Sequence, residues 1–136
     1  MTTVPLEELP GRPCPIAASL ELVGERWALL VVREIAMGST RFSDIVRGTG
    51  APRDRIAARL KTLEAAGVVR CEPGTGARHT YRLTESGAEL VPVLNALLAW
   101  GDRHAVAADD PKRAARYRKL VKPEMTVKED KCQPSL

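Results

Sequence analysis

Aromatic rings are scarce in this sequence: one Phe, two Tyr and two Trp among 136 residues. Aliphatic side chains and alanine must therefore fill the interior. Paired cysteines are missing as well. Cys14, Cys71 and Cys132 are widely separated, no C-x-x-C occurs and their number is odd, which argues against a secreted disulfide framework and a thiolate zinc site. Long apolar runs are lacking, since stretches such as residues 28–32 are far too short to span a bilayer. The opening MTTVPLEELPGRPCP has no charged-then-apolar leader. The expectation is a soluble, cytoplasmic chain with no membrane partner. His79 and His104 lie far apart without HxxxH or cysteine spacing, so no metal site is expected. Common catalytic signatures (G-x-S-x-G, a Walker loop, a dinucleotide fingerprint) are absent, and Gly74-Thr75-Gly76 is too short and wrongly placed to cradle a phosphate. Neither catalytic residues nor a cofactor are expected.

What is present is an apolar fraction of 44%, enough for a real core. The length suits one domain with some tail. A formal charge of +4 is mild basicity that permits an anionic partner without requiring one. Residues 1–13 hold three prolines and little periodicity and read as an extended arm. Residues 14–108 carry the periodic pattern, and 109–136 read as a basic extension.

Within 14–108, Ile16, Leu20 and Val23 recur at helical spacing, and Gly24 breaks that helix. A second helix is predicted from Glu25 to Met37, apolar on most faces and therefore central. A short helix over residues 43–47 follows. Gly48-Thr49-Gly50 is a turn signal, and Pro52 suits a first helical residue. From there to Ala66, Ile56, Leu60 and Leu63 form an inner stripe. The period then switches to alternation: strands at 68–72 and 79–83 flank a Gly-rich turn. A long helix over residues 85–104 follows, with a kink or frayed start at Pro92.

Two helices joined by a short Gly-containing turn and followed by a hairpin make a winged helix-turn-helix, mainly α with a small β-hairpin. In that unit the second helix enters the major groove and offers its N-terminal side chains to base edges. The apolar stripe leaves Arg53, Asp54, Arg55, Ala58, Arg59 and Thr62 wholly or partly outside the core. Arginine can pair with guanine O6 and N7 or hold a phosphate. The candidate DNA-binding residues are Ser43, Pro52, Arg53, Arg55, Arg59 and Thr62, with Arg78 and His79 beside the hairpin tip. The plainer reading of the same arginines is a solvated helix face; the turn before them and the hairpin after them favour double-stranded operator DNA.

At this point the residues resemble a specific family. Cys14-Pro15-Ile16, the run from Leu22 to Trp27, Arg33-Glu34-Ile35 and Arg41-Phe42-Ser43-Asp44-Ile45 are similar to the HxlR-type regulators, relatives of the MarR superfamily. So are Gly50-Ala51-Pro52-Arg53, Ala58 to Val69, Tyr81 to Gly87, Leu90 to Leu94 and Trp100-Gly101. The resemblance spans about residues 14–104 and stops short of 109–136. It implies a homodimer whose first and last long helices pack on those of the partner. Ile16, Leu20, Leu90, Leu94, Leu97 and Leu98 are the expected interface, an apolar seam larger than so small a domain can cover alone.

The resemblance also gives Cys14 a role as a thiol sensor of oxidants or electrophiles. A thiolate near a helix N-terminus reacts faster, and its modification would shift the spacing of two recognition helices. The alternative for Cys14 is a small buried hydrophobe, with the chain then a small-molecule-responsive regulator or a winged-helix protein-interaction module. Cys71 alternates in phase with Val69 and reads as packing. The basic stretch 112–122 reads as a solvated tail or, secondarily, as a contact to DNA flanks.

Overall fold

The computed structural model describes residues 3–74, 78–112 and 120. After a 3-10 turn at Leu6–Glu8, helix α1 spans Pro15–Val23. Pro15 opens it because a first helical residue needs no amide donor. The Cys14 sulfur caps it, accepting the Ala17 N–H at 3.5 Å. Helix α2, Ala28–Ala36, starts one turn later than its sequence pattern suggests. Glu25–Trp27 form the turn before it, with the Arg26 guanidinium 4.4 Å from the Trp27 ring centroid. As expected from its all-round apolarity, α2 is central: Val31 and Val32 are fully buried.

Helix α3, Phe42–Thr49, and helix α4, Arg53–Ala65, are the helix-turn-helix pair. The turn depends on Gly50, whose φ of 73° places it in the left-handed region where a side chain is penalised. Thr49 Oγ1 donates to the Ile45 carbonyl at 2.9 Å and accepts the Ala51 N–H at 3.3 Å, closing the turn. Pro52 is extended and caps α4 from outside, so the expectation that it is the first helical residue is corrected by one position. Ile56, Leu60 and Leu63 are buried, as their spacing requires.

Strands β1, Val69–Pro73, and β2, His79–Leu83, pair antiparallel with Val69 opposite Leu83 and Cys71 opposite Tyr81. The tip residues 75–77 lie outside the described residues. A third extended piece joins the hairpin: the Tyr81 N–H donates to the Thr40 carbonyl at 2.8 Å, and Arg41 bridges Thr80. The architecture is a winged helix-turn-helix, mostly helical with a two-stranded wing.

The long helix expected over residues 85–104 is divided. Helix α5 is a single turn, Glu85–Ala88, and helix α6 is Val91–His104. The break at Glu89–Leu90 lies where Pro92 withholds the amide that a continuous helix would need. Thr84 secures the junction: its hydroxyl donates to the Gly67 and Val68 carbonyls and accepts the Gly87 N–H at 3.2 Å. A Cβ on Gly87 would land on the Val68 carbonyl oxygen, which is backbone and cannot swing aside. Gly87→Ala should therefore cost about 1–3 kcal/mol. Urea unfolding followed by far-ultraviolet circular dichroism reads this as a lowered midpoint; an unchanged midpoint would show that the junction yields freely.

Helix α6 has two apolar faces. Val91 and Leu94 are buried in this chain's own core, and Leu90 packs against it. Val93, Leu97 and Trp100 point the other way, at 45%, 50% and 57% exposure. The expected seam of Leu90, Leu94, Leu97 and Leu98 is thus corrected: Leu94 lies inside, Leu90 and Leu98 are half-buried, and Leu97 alone of the four is outward. The four occupy a broad arc of one helix, and Leu97, at the edge of that arc, falls beyond the part that the core covers. Leu120 returns to this helix, exchanging two hydrogen bonds of 2.7 and 2.9 Å with the Asn95 side chain. The rest of the basic stretch beyond Lys112, and Cys132, lie outside the described residues. Among the described residues no helix is long and apolar enough to cross a membrane.

Candidate nucleic-acid interface

Helix α4 exposes its N-terminal end because its apolar stripe faces α2 and α3. Arg53, Asp54 and Arg55 are all exposed, followed along the helix by Lys61 and Thr62. The Arg53 guanidinium lies 4.9 Å from the centroid of the Phe42 ring on α3, which fixes its direction. Ala58 is half-buried, leaving no bulk on that part of the helix. Arg59 sits apart from the other arginines. Its side chain is only 21% exposed and its terminal nitrogen is 3.9 Å from a Glu25 carboxylate oxygen, so it leans back on the α1–α2 turn.

A half-buried clamp joins α2 to the end of α3. Arg33 holds the neighbouring Glu34 carboxylate at 2.8 Å and donates to the Gly48 carbonyl at 3.0 Å near the end of α3. Glu34 is 7% exposed, and its carboxylate lies so close to Gly48 that any Cβ there would overlap it. Charge and close approach together fix where α3 ends, and hence where α4 begins.

Between the start of α3 and the wing lies an open cleft of about 420 Å³ lined by Arg41, Phe42, Ser43, Arg78, His79 and Tyr81. Ser43, Arg78 and His79 were singled out by sequence; Arg41 was not. It falls outside both α4 and the hairpin tip, and the extended pairing of residues 40–41 with 80–81 brings it to the wing. Across the interface as a whole, Ser43, Arg78 and His79 gather at this cleft, while Arg53, Arg55 and Thr62 belong to α4 and Pro52 to its cap.

The two described cysteines, both free, differ in setting. Cys14 is the half-buried cap of α1. Cys71 faces Tyr81 across the wing, and its thiol is pushed above its ordinary range by burial, then by the charges of Glu64 and Glu72, against an opposing hydrogen bond with Tyr81. The Tyr81 phenol is raised too, first by burial and then by Cys71. Both groups therefore hold their protons longer folded than unfolded. The stability this confers is present below the ordinary thiol range and is lost as pH rises through it and through the phenol range. Urea midpoints should fall between about pH 8 and pH 10.5, and less so in Cys71→Val. An equal fall in both proteins would remove Cys71 from the cause.

Comparison with known proteins agrees with this geometry. The family model described as HxlR-like helix-turn-helix matches residues 22–109. The HTH-type transcriptional regulator Rv3095 of Mycobacterium tuberculosis is 38% identical over 104 residues, covering 75% of this chain and 66% of that protein. This chain thus spans about two thirds of the length of that relative. The quinone-bound structure of YodB from B. subtilis superposes with a TM-score of 0.56 at 30% identity, covering 66% of this chain and 98% of YodB. The redox regulator HypR in its oxidized form superposes with a TM-score of 0.63 at 26% identity, covering 69% of this chain and all (100%) of HypR. With the helix pair, its glycine turn and the wing in the places that these matches span, the chain belongs to the HxlR-like helix-turn-helix family of transcriptional regulators.

Proposed function

We propose that the chain is a sequence-specific DNA-binding regulator that acts in the cytoplasm as a homodimer on operator DNA, and that Cys14 makes it responsive to oxidants or electrophiles. The observation that carries this reading is the uncovered start of α4: Arg53, Asp54 and Arg55 are exposed beside a wing that carries Arg78 and His79. A helix N-terminus with arginines suits a groove edged by phosphates. Pairing is supported by the apolar side chains left uncovered on the two helices that the family resemblance assigns to it. These are Ile16 and Leu20 on α1, at 72% and 57% exposure, and Val93, Leu97 and Trp100 on α6. Such a surface on a small domain is expected to meet a partner.

The sensing limb rests on the cap. The Cys14 sulfur accepts the Ala17 N–H, so alkylation, which forms a carbon–sulfur bond and releases the thiol proton, would burden the acceptor that starts α1. That helix also carries Ile16 and Leu20. YodB in its quinone-bound form and HypR as a redox regulator support the same reading by likeness.

The test is a mobility-shift titration at fixed salt on the promoter DNA beside the chain's own gene, with a random duplex alongside, with and without diamide. Preferential retention of the promoter supports the DNA reading, and equal retention of both duplexes overturns it. A diamide response that persists in Cys14→Ser overturns the sensing limb alone.

A further inference from the structure

The cleft between α3 and the wing has a composition that the recognition helix does not explain. Among the described residues, Arg41, Arg78, the His79 imidazole and the Ser43 hydroxyl converge on it, and no acidic residue lines it. Phe42 and Tyr81 give it an aromatic floor. The nearest first-turn acid on α3, Asp44, is held by Arg47 at 3.1 Å. Neither Arg41 nor Arg78 makes an ion pair among the described residues, and the Arg41 side chain makes no capping bond to the helix it precedes. The first amides of α3 point toward the same end, because a helix leaves its leading N–H groups without internal acceptors. Convergent positive charge, free donors and a concave shape suit a compact oxyanion rather than a base edge.

We propose, resting on the DNA-binding reading above, that this cleft seats one backbone phosphodiester of the duplex. Arg41 and Arg78 grip that phosphate from opposite sides, Ser43 and the α3 amides donate to it, and the rings of Phe42 and Tyr81 carry the adjoining sugar. Arg41 is thereby assigned as a DNA contact. The phosphate lies between the groove entered by α4 and the groove entered by the wing, so it fixes register and carries no sequence information. The backbone bridge from Arg41 to Thr80 is what makes the seat rigid: it ties the residue that starts the helix pair to the strand that carries the wing.

The experiment compares wild type, Arg41→Gln, Arg78→Gln, the double variant and Arg41→Lys. Each is titrated with promoter DNA and with a random-sequence duplex over a range of salt. Both substituted side chains, Arg41 and Arg78, are solvent-exposed, and thermal unfolding by circular dichroism verifies that each variant keeps the wild-type fold. Because two guanidinium groups share one phosphate, the double variant should bind both duplexes more weakly by the same factor, with the salt exponent reduced by about 1. Arg41→Lys should keep the wild-type exponent. A reduction of about 2 in the double variant would place the arginines on separate phosphates and overturn the shared seat. An unchanged exponent would overturn contact altogether. A loss confined to promoter DNA would make Arg41 a reader of bases and overturn the assignment equally. If wild type binds neither duplex, the DNA reading itself fails and the seat with it; that result is distinct from a wild type that binds while the variants match it.

Discussion

Arg53→Gln combined with Arg55→Gln should remove most of the discrimination between promoter and random DNA. Each guanidinium that reads a base contributes about 1–3 kcal/mol of specific binding. The two sit at the exposed start of α4, separated by Asp54, and make different use of their surroundings. Arg53 is braced on the Phe42 ring at 4.9 Å, so it approaches DNA with its direction already set and little side-chain entropy left to lose. Arg55 has no such support among the described residues, and its single substitution should cost less. Fluorescence anisotropy against both duplexes separates the outcomes. A double variant that loses affinity equally for promoter and random DNA would make these residues phosphate contacts; one that loses neither would place recognition elsewhere on the chain.

Leu97→Glu should yield a folded monomer with a large loss of operator affinity. Leu97 lies with Val93 and Trp100 on the face of α6 turned from the core, so a carboxylate there is solvated in the lone chain and buried only if a second chain covers it. Two linked half-site contacts bind far more tightly than one, because the second is made at high effective concentration. Light scattering coupled to size exclusion reads the mass directly. Leu94→Ala is the contrast: Leu94 is 9% exposed and belongs to the core, so its truncation should cost about 2–5 kcal/mol of stability without changing the assembly. A Leu97→Glu protein with wild-type mass would remove this face from pairing.

The helix pair and the wing were legible in the sequence because each has a strong local signal. Ile56, Leu60 and Leu63 keep strict helical spacing, Gly50 is the residue a left-handed turn demands, and β2 alternates cleanly between its ends. Two things were read imperfectly, for different reasons. The seam on the last helix was grouped as one side, but Leu94, Leu97 and Leu98 share one helix, and the core covers Leu94 while leaving Leu97 outside, a division that spacing alone does not report. Val93, Leu97 and Trp100 stand at helical spacing, so the outward stripe is itself legible in the sequence once the core side is known. The cleft was half seen. Ser43, Arg78 and His79 sit on elements that announce themselves, whereas Arg41 reaches the wing through one bridge to a residue far along the chain, and no periodicity reports a contact of that kind. Arg59 shows a third limit: its partner Glu25 comes from a turn that the sequence pattern had absorbed into a helix.

The two ties described above, the extended pairing of Thr40 and Arg41 with Thr80 and Tyr81 and the bonds from Thr84 to Gly67 and Val68, join the hairpin to both members of the helix pair. Reading head and wing are consequently a single jaw, with no hinge between them to bend. In the homodimer proposed above, an effector acting through α1 or α6 would alter the gap between two such jaws, as in a pair of calipers, and would leave each jaw's own grip on its half of the duplex unchanged.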